Sequence, residues 1–273
     1  MAKVPRSGWN WEINSIMEHT TIAFIARASR YSPGSVGKDM AILSAVRQQL
    51  ASLGYPCLDI VREDVAGDME ADAFVSMARS QDMLNWLGNH ERRDIPVVNS
   101  TASVMICNQR PLEMSVLEGE VNVPPLTGSD GYWVKRGYGC RQCDADVQFA
   151  PDWDAAQQAA RSMSARGIHS VDIRSHVVGD WVKFYGVRGT RFFYYCRPQG
   201  GSNPIDEQML RVQADQAART VNLDVYGGDF IVRSDGTPVL VDLNDWPSFS
   251  PCREEAAKAI VIRVRQQIHG VAD

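Results

Sequence analysis

No apolar run in the chain approaches the ~20 residues that a membrane-spanning helix requires, so no segment is expected to enter a bilayer. There is no basic excess either. The chain carries 28 Lys and Arg against 33 Asp and Glu, a formal net charge of −5. That balance argues against broad nucleic-acid binding, which leaves a basic footprint. Met1 to His19 is polar and Trp-bearing and lacks the apolar core of a secretory signal, so a cytoplasmic protein is expected. The five histidines show no ligand spacing. Six cysteines stand at 57, 107, 140, 143, 196 and 252, and all but Cys140 and Cys143 lie in or beside apolar runs, as reduced, buried thiols do. Cys140-Arg-Gln-Cys143 lacks the second pair of a structural zinc site, which leaves a redox-sensitive loop as its reading. Gly34-Ser-Val-Gly37-Lys38-Asp39 is shorter than a P-loop and has Asp39 in place of Ser or Thr. A Walker motif is excluded, and an anion site at a helix start remains open. There is no internal repeat and no low-complexity segment.

What is present is an ordinary globular composition, 44% hydrophobic and 22% charged over 273 residues, enough for two small domains. Thr20 to Ala26 is a nearly continuous apolar run, as expected of a strand buried on both faces. Lys38 to Leu53 carries apolar residues at 42, 43, 46, 50 and 53, a helical stripe closed by Gly54. Strands at Cys57–Val61, Ala73–Ala78 and Ile95–Val98 and a helix at Gln81–His90 complete a β-α-β-β-α-β order, which predicts a small, mostly parallel sheet. This first α/β domain spans 20–99, behind an N-terminal arm of 1–19. Short helices follow at Ser100–Ile106 and Pro111–Leu117. The remainder, 100–273, mixes strands at Tyr132–Lys135, Ala145–Phe149, Ser170–Val177, Trp181–Val187 and Arg191–Cys196 with helices at Asp152–Arg166, Glu207–Val221 and Glu254–Ile268. Asp152 is a candidate N-cap, and Gly167 lies just past that helix's end. The fold class is α/β with an α+β second part.

The organising stretch is Asp224 to Cys252. Phe230-Ile231-Val232 and Val239-Leu240-Val241 are β-rich runs joined through Asp235-Gly236, a preferred two-residue hairpin turn. With that turn, Asp229 stands opposite Asp242 on one face, and Asn244, two residues on, shares it. Opposed carboxylates repel unless a cation lies between them. Hard oxygen ligands without His or Cys suit Mg²⁺ or Mn²⁺. The other reading is an ordinary surface hairpin whose Asp242 and Asn244 cap the next turn. Pro238 cannot donate a ladder bond, so the second strand starts at an edge or a bulge.

The pattern G-x-D-F-I-V, a turn, then V-D-L-N-x-x-P-S-F resembles the C-terminal metal-binding hairpin of the ATP-grasp superfamily. The resemblance covers roughly residues 20 to 270. It implies a lid subdomain at about 128–175 and an antiparallel sheet with helices after it. It implies Mg-ATP, with the metal on Asp229, Asp242 and Asn244. For ATP it implies Lys135 and an arginine in place of a second lysine, Arg110. It also implies backbone contacts to adenine along Arg174-Ser175-His176-Val177, and Asp180 near the ribose. Lys183, in VKFYGV, and Arg197 are the implied catalytic or phosphate-binding cations. Asp at 242 and the VKFYGV run resemble the inositol phosphate kinase branch more than the glutathione synthetase-like carboxylate–amine ligases.

Ligands of open α/β sheets bind beyond the carboxyl ends of strands. Arg27, Arg30, Lys38 and Arg79 lie there, which suggests an anionic small-molecule acceptor. The expected activity is transfer of the γ-phosphoryl group to that acceptor. The alternatives are an ATP-dependent carboxylate–amine ligase acting through an acyl phosphate and a non-catalytic nucleotide-binding protein. No nucleic-acid or membrane partner is expected, and an oligomer is left open.

Overall fold

The computed structural model describes residues 20–270. The expected arm at 1–19 lies outside the described residues. The first four strands, β1 (Ile22–Ala26), β2 (Cys57–Arg62), β3 (Ala73–Ser76) and β4 (Val97–Val98), form one parallel sheet in the order β2-β1-β3-β4. β1 is buried at every position because both faces are covered. Ile22 and Phe24 pack under α1 (Val36–Ser52) with Ile42, Leu43, Val46 and Leu50, while Ala23 and Ile25 meet Met83 and Leu87 of α2 (Gln81–Glu91). Leu53 does not extend the stripe. It caps α1, 42% exposed, before Gly54 turns at φ +96°.

Two short helices, α3 (Thr101–Cys107) and α4 (Arg110–Leu117), lead to a small antiparallel layer. There β5 (Tyr132–Arg136) lies between β6 (Val147–Ala150) and β7 (Val171–Ser175), with α5 (Trp153–Ala165) against one face. The N-cap expectation holds: the Asp152 carboxylate accepts the Ala155 N–H at 2.8 Å.

The second large sheet is antiparallel. It runs β11 (Pro238–Asp245), β10 (Val225–Val232), β8 (Asp180–Val187), β9 (Phe193–Cys196). Alternation divides its residues between two faces. Val182, Phe184, Tyr226 and Phe230 go under α6 (Glu207–Thr220). Tyr185, Val187 and Val225 go to the opposite face, into one core with α7 (Arg253–His269), α1 and the first sheet. Asn99, at the expected boundary, is buried and bonds both the N–H and the C=O of Val225. The two sheets thus share a core. No helix among the described residues is long and apolar enough to cross a membrane.

The hairpin corrects the expected turn. Arg233 N–H meets Thr237 C=O at 3.0 Å, so the loop is Ser234–Gly236, one residue longer, with Gly236 at φ +85°. That would misalign the carboxylates by one residue. A bulge at Val241 restores the alignment: Phe230 pairs with Leu240, yet Asp229 pairs with Asp242. Pro238 sits on edge strand β11, where a missing N–H costs no ladder bond.

Candidate functional site

A cleft of about 880 Å³ opens between the lid layer β5–β7 and the uncovered end of the β8–β11 sheet. The residues that reach it from the sheet are those in phase with Asp229: Trp181, Ile231 and, on the edge strand, Asp242 and Asn244. Gly228 brings the strands close, because a Cβ there would fall 2.1 Å from the Asp242 carbonyl oxygen.

Each carboxylate already has a cation. Lys183, directly opposite Asp229 on β8, places Nζ 2.8 Å from Oδ1, and Trp181 Nε1 donates to the same oxygen at 2.8 Å. Asp242 pairs with the Arg110 guanidinium through Oδ1 and accepts the Asn244 amide through Oδ2 at 2.6 Å. These two acids and one amide oxygen form a hard-oxygen donor set that fits Mg²⁺ or Mn²⁺. Among the described residues no group of three or more His, Cys, Asp and Glu converges as a metal cage.

The bulge aims the Val241 carbonyl into the cleft, where it accepts from both Arg110 Nη1 and Lys135 Nζ at 3.1 Å. Burial first, and the neighbouring Arg110 second, lower the Lys135 ammonium to about 7. Glu113, one turn after Arg110 on α4, lines the same wall and is 1% exposed. It accepts the Leu243 N–H at 3.2 Å, and burial raises its carboxyl to about 7.

At the other end, Ser175, His176 and Val177 line the cleft with Trp133. Ser175 N–H is given to Pro125 C=O and His176 N–H to Gly131 C=O, while Trp133 Nε1 donates to His176 Nδ1 at 3.0 Å. Arg174 is a lid residue on β7, buried against Asp172 at 3.2 Å and the Pro124 carbonyl.

Asp180, Arg197 and Arg30, among the expected positions, line neither the larger cleft nor a smaller one beside it. Asp180 is out of phase with Trp181, and its carboxylate accepts the Asn203 N–H at 2.7 Å. Arg197 follows Cys196, which is the residue opposite Lys183, so it turns to the other face. There it holds the carbonyls of Gly201 and Asn203. Of the acceptor cations, Arg79 borders the larger cleft, but it is 8% exposed and ion-paired with Asp245, which has no exposure. Arg27 holds the Trp246 carbonyl at 2.8 Å and lies 3.5 Å from Asp39. Arg30 is exposed, stacks over the Tyr31 ring and borders neither cleft. Its carbonyl accepts from Cys140 Sγ at 3.4 Å and Gln142 Nε2 at 3.1 Å of the lid loop. Arg27 and Arg79 already have partners inside the protein, and the backbone donors at these strand ends are taken by Glu63. Its buried carboxylate takes the N–H groups of Ala28, Arg79 and Ser80 at 2.7–2.9 Å. The protein's own anion therefore fills the strand ends. Lys38 does reach a second cleft of about 410 Å³, shared with Arg27, Tyr31, Ser32, Lys183 and Ser250. Asn244 borders both clefts.

Sequence reasoning missed Glu113, Trp181, Glu63 and Asp245. Two had a signal: Glu113 is three residues beyond Arg110, hence on its helix face, and Trp181 is two before Lys183, hence on its strand face.

No protein-family model and no curated protein matches the chain. Solved structures do. An ATP-grasp RimK domain protein from Sphaerobacter thermophilus is 16% identical with a TM-score of 0.65, covering 90% of this chain and 99% of that one. A D-alanine–D-alanine ligase from Bacillus anthracis, solved with ATP, is 11% identical with a TM-score of 0.66, covering 93% and 99%. A D-cycloserine synthetase is 16% identical with a TM-score of 0.63, covering 89% and 99%. The order of lid and sheets and these alignments over nearly the whole length agree: the chain has the ATP-grasp fold.

Proposed function

We propose that the protein is a Mg-ATP-dependent carboxylate–amine ligase that forms its amide through an acyl phosphate. The observation that carries the nucleotide half is the bulged hairpin: two opposed carboxylates, with Arg110 and Lys135 converging on the carbonyl between them. Two half-buried cations of like sign repel, and a polyphosphate between them relieves that. The ligase half is supported by the D-alanine–D-alanine ligase and D-cycloserine synthetase among the similar folds.

In this reading ATP lies in the larger cleft, its base against Trp133 and the Ser175–Val177 backbone. Magnesium on Asp229, Asp242 and Asn244 would supply charge neutralisation to the outer phosphates. Arg110 and Lys135 take the inner phosphate charge. Lys183, on the smaller cleft, meets the oxygens of the transferred group. An acceptor carboxylate oxygen attacks the γ-phosphorus and ADP leaves. An amine then attacks the acyl carbon, loses a proton and releases orthophosphate, which keeps one carboxylate oxygen. The smaller cleft suits an anionic acceptor through Lys38 and its hydroxyls.

A kinase is the second reading, favoured by Asp242-x-Asn244 and by Lys183 within VKFYGV. An ADP-release screen over amino acids, dipeptides, polyols and inositol phosphates, with ³¹P NMR of the products, separates them. Orthophosphate with an amide supports the ligase. A new phosphoester contradicts it.

Two further results are expected. A lysine whose pKa is lowered by folding costs stability below about 7, and that cost fades as pH rises toward the ordinary lysine range. At pH 8 Lys135 is mostly neutral in the free protein, and a triphosphate beside it draws the proton back. ATP binding should therefore take up a proton, read by calorimetry in two buffers of different ionisation heat, and Lys135→Met should abolish the uptake. Ser175→Ala should leave ATP affinity within about threefold, because backbone groups rather than the hydroxyl face the base, a change under ~0.7 kcal/mol. A large loss would show that the side chain reads the nucleotide.

A further inference from the structure

Glu113 is a carboxylate in the wall of the larger cleft that the reaction above does not use. It is 1% exposed; burying an anion is costly unless it is paired and hydrogen-bonded, and an acid kept in a cleft wall at that cost is a candidate for a role there. Its setting is the free edge of β11. On that edge no strand follows, and the outward backbone groups are taken up one by one. Leu240 N–H goes to Asn122 C=O at 2.7 Å. Val241 C=O goes to Arg110 and Lys135, and Leu243 N–H goes to Glu113. The first turn of α4 thus does the work of a neighbouring strand, with Arg110 and Glu113 three residues apart on one helix face. Leu243 is the residue between Asp242 and Asn244, so the direction of its amide sets how both side chains leave the strand.

We propose that Glu113 is a positioning residue for the metal-binding strand, holding the Leu243 amide so that Asp242 and Asn244 point together into the cleft. This rests on the reading of Asp242 and Asn244 as metal ligands. The bond needs an acceptor oxygen at full side-chain reach. It does not need the charge.

The test uses Mn²⁺ alone as the probe, with affinity for the full-length chain read by electron paramagnetic resonance and folding by thermal melting. Loss of a group that orients a metal ligand costs on the order of 10- to 100-fold in metal affinity. Glu113→Ala should show that loss. Glu113→Asp keeps the charge but is one methylene short, and should lose affinity likewise. Glu113→Gln keeps a carbonyl oxygen in place, and should rescue binding to within about threefold of the wild type. Metal-free ATP affinity should hold within the same range in Glu113→Gln and Glu113→Asp. If Glu113→Ala fails to fold, the contrast of Glu113→Asp with Glu113→Gln still decides. Wild-type affinity in Glu113→Asp overturns the proposal, and so does Glu113→Gln as weak as Glu113→Asp, since charge would then be the property that matters. The separate failure of the metal reading shows itself in Asp242→Asn: Mn²⁺ affinity equal to the wild type there removes the ligand and the proposal together.

Discussion

Arg79→Ala is expected to destabilise the fold by about 3–5 kcal/mol, because it strands a buried carboxylate. Asp245 has no exposed side-chain surface, and Arg79 is its ion-pair partner. For a chain of this size that is a fall in melting temperature on the order of 10 °C, read by calorimetric or circular-dichroism melting. Replacing the pair together, Arg79→Met with Asp245→Leu, should recover most of the loss, since two apolar groups need no partner. The outcome matters because Arg79 looks like a substrate cation in the sequence. An unchanged melting temperature with a raised acceptor KM would return it to that role.

Asp242→Asn has the second large effect. It removes one of two facing carboxylates and the charge that pairs with Arg110. A charge-assisted contact contributes about 1.5–3 kcal/mol, so Mg-dependent ATP affinity should fall roughly ten- to a hundredfold. ATP affinity without metal should change little, because Arg110 and Lys135 remain. Calorimetric titration with and without Mg²⁺ measures both. An equal loss in the two conditions would remove Asp242 as a metal ligand.

The elements with strong periodicity were legible. β1 reads as buried on both faces and is so, and Asp152 reads as a cap and is one. The central pair shows a subtler outcome. A two-residue turn leads to Asp229 opposite Asp242, and the chain reaches the same pairing with a three-residue loop and a compensating bulge. Local turn preference cannot reveal a bulge whose carbonyl is held by Arg110 and Lys135, which approach from elements more than a hundred residues earlier in the chain. Asp180 and Arg197 were placed by position along a motif. Strand phase, set by pairing with β10 and β8, turns both away from the cleft. The arginines at the parallel strand ends were legible as charges but not as partners, because Asp39 meets Arg27 and Asp245 meets Arg79 only after folding.

The reading as a ligase stands on phosphorylation of a carboxylate, and hydroxylamine trapping tests that most directly. The full-length protein is incubated with Mg-ATP, pooled small carboxylates, amino acids among them, and excess hydroxylamine. An acyl phosphate formed in the smaller cleft would be captured as a hydroxamate, with ADP and orthophosphate released in equal amounts. That is the predicted result, and it should vanish in Asp242→Asn. ADP release with a stable phosphoester and no hydroxamate would contradict it.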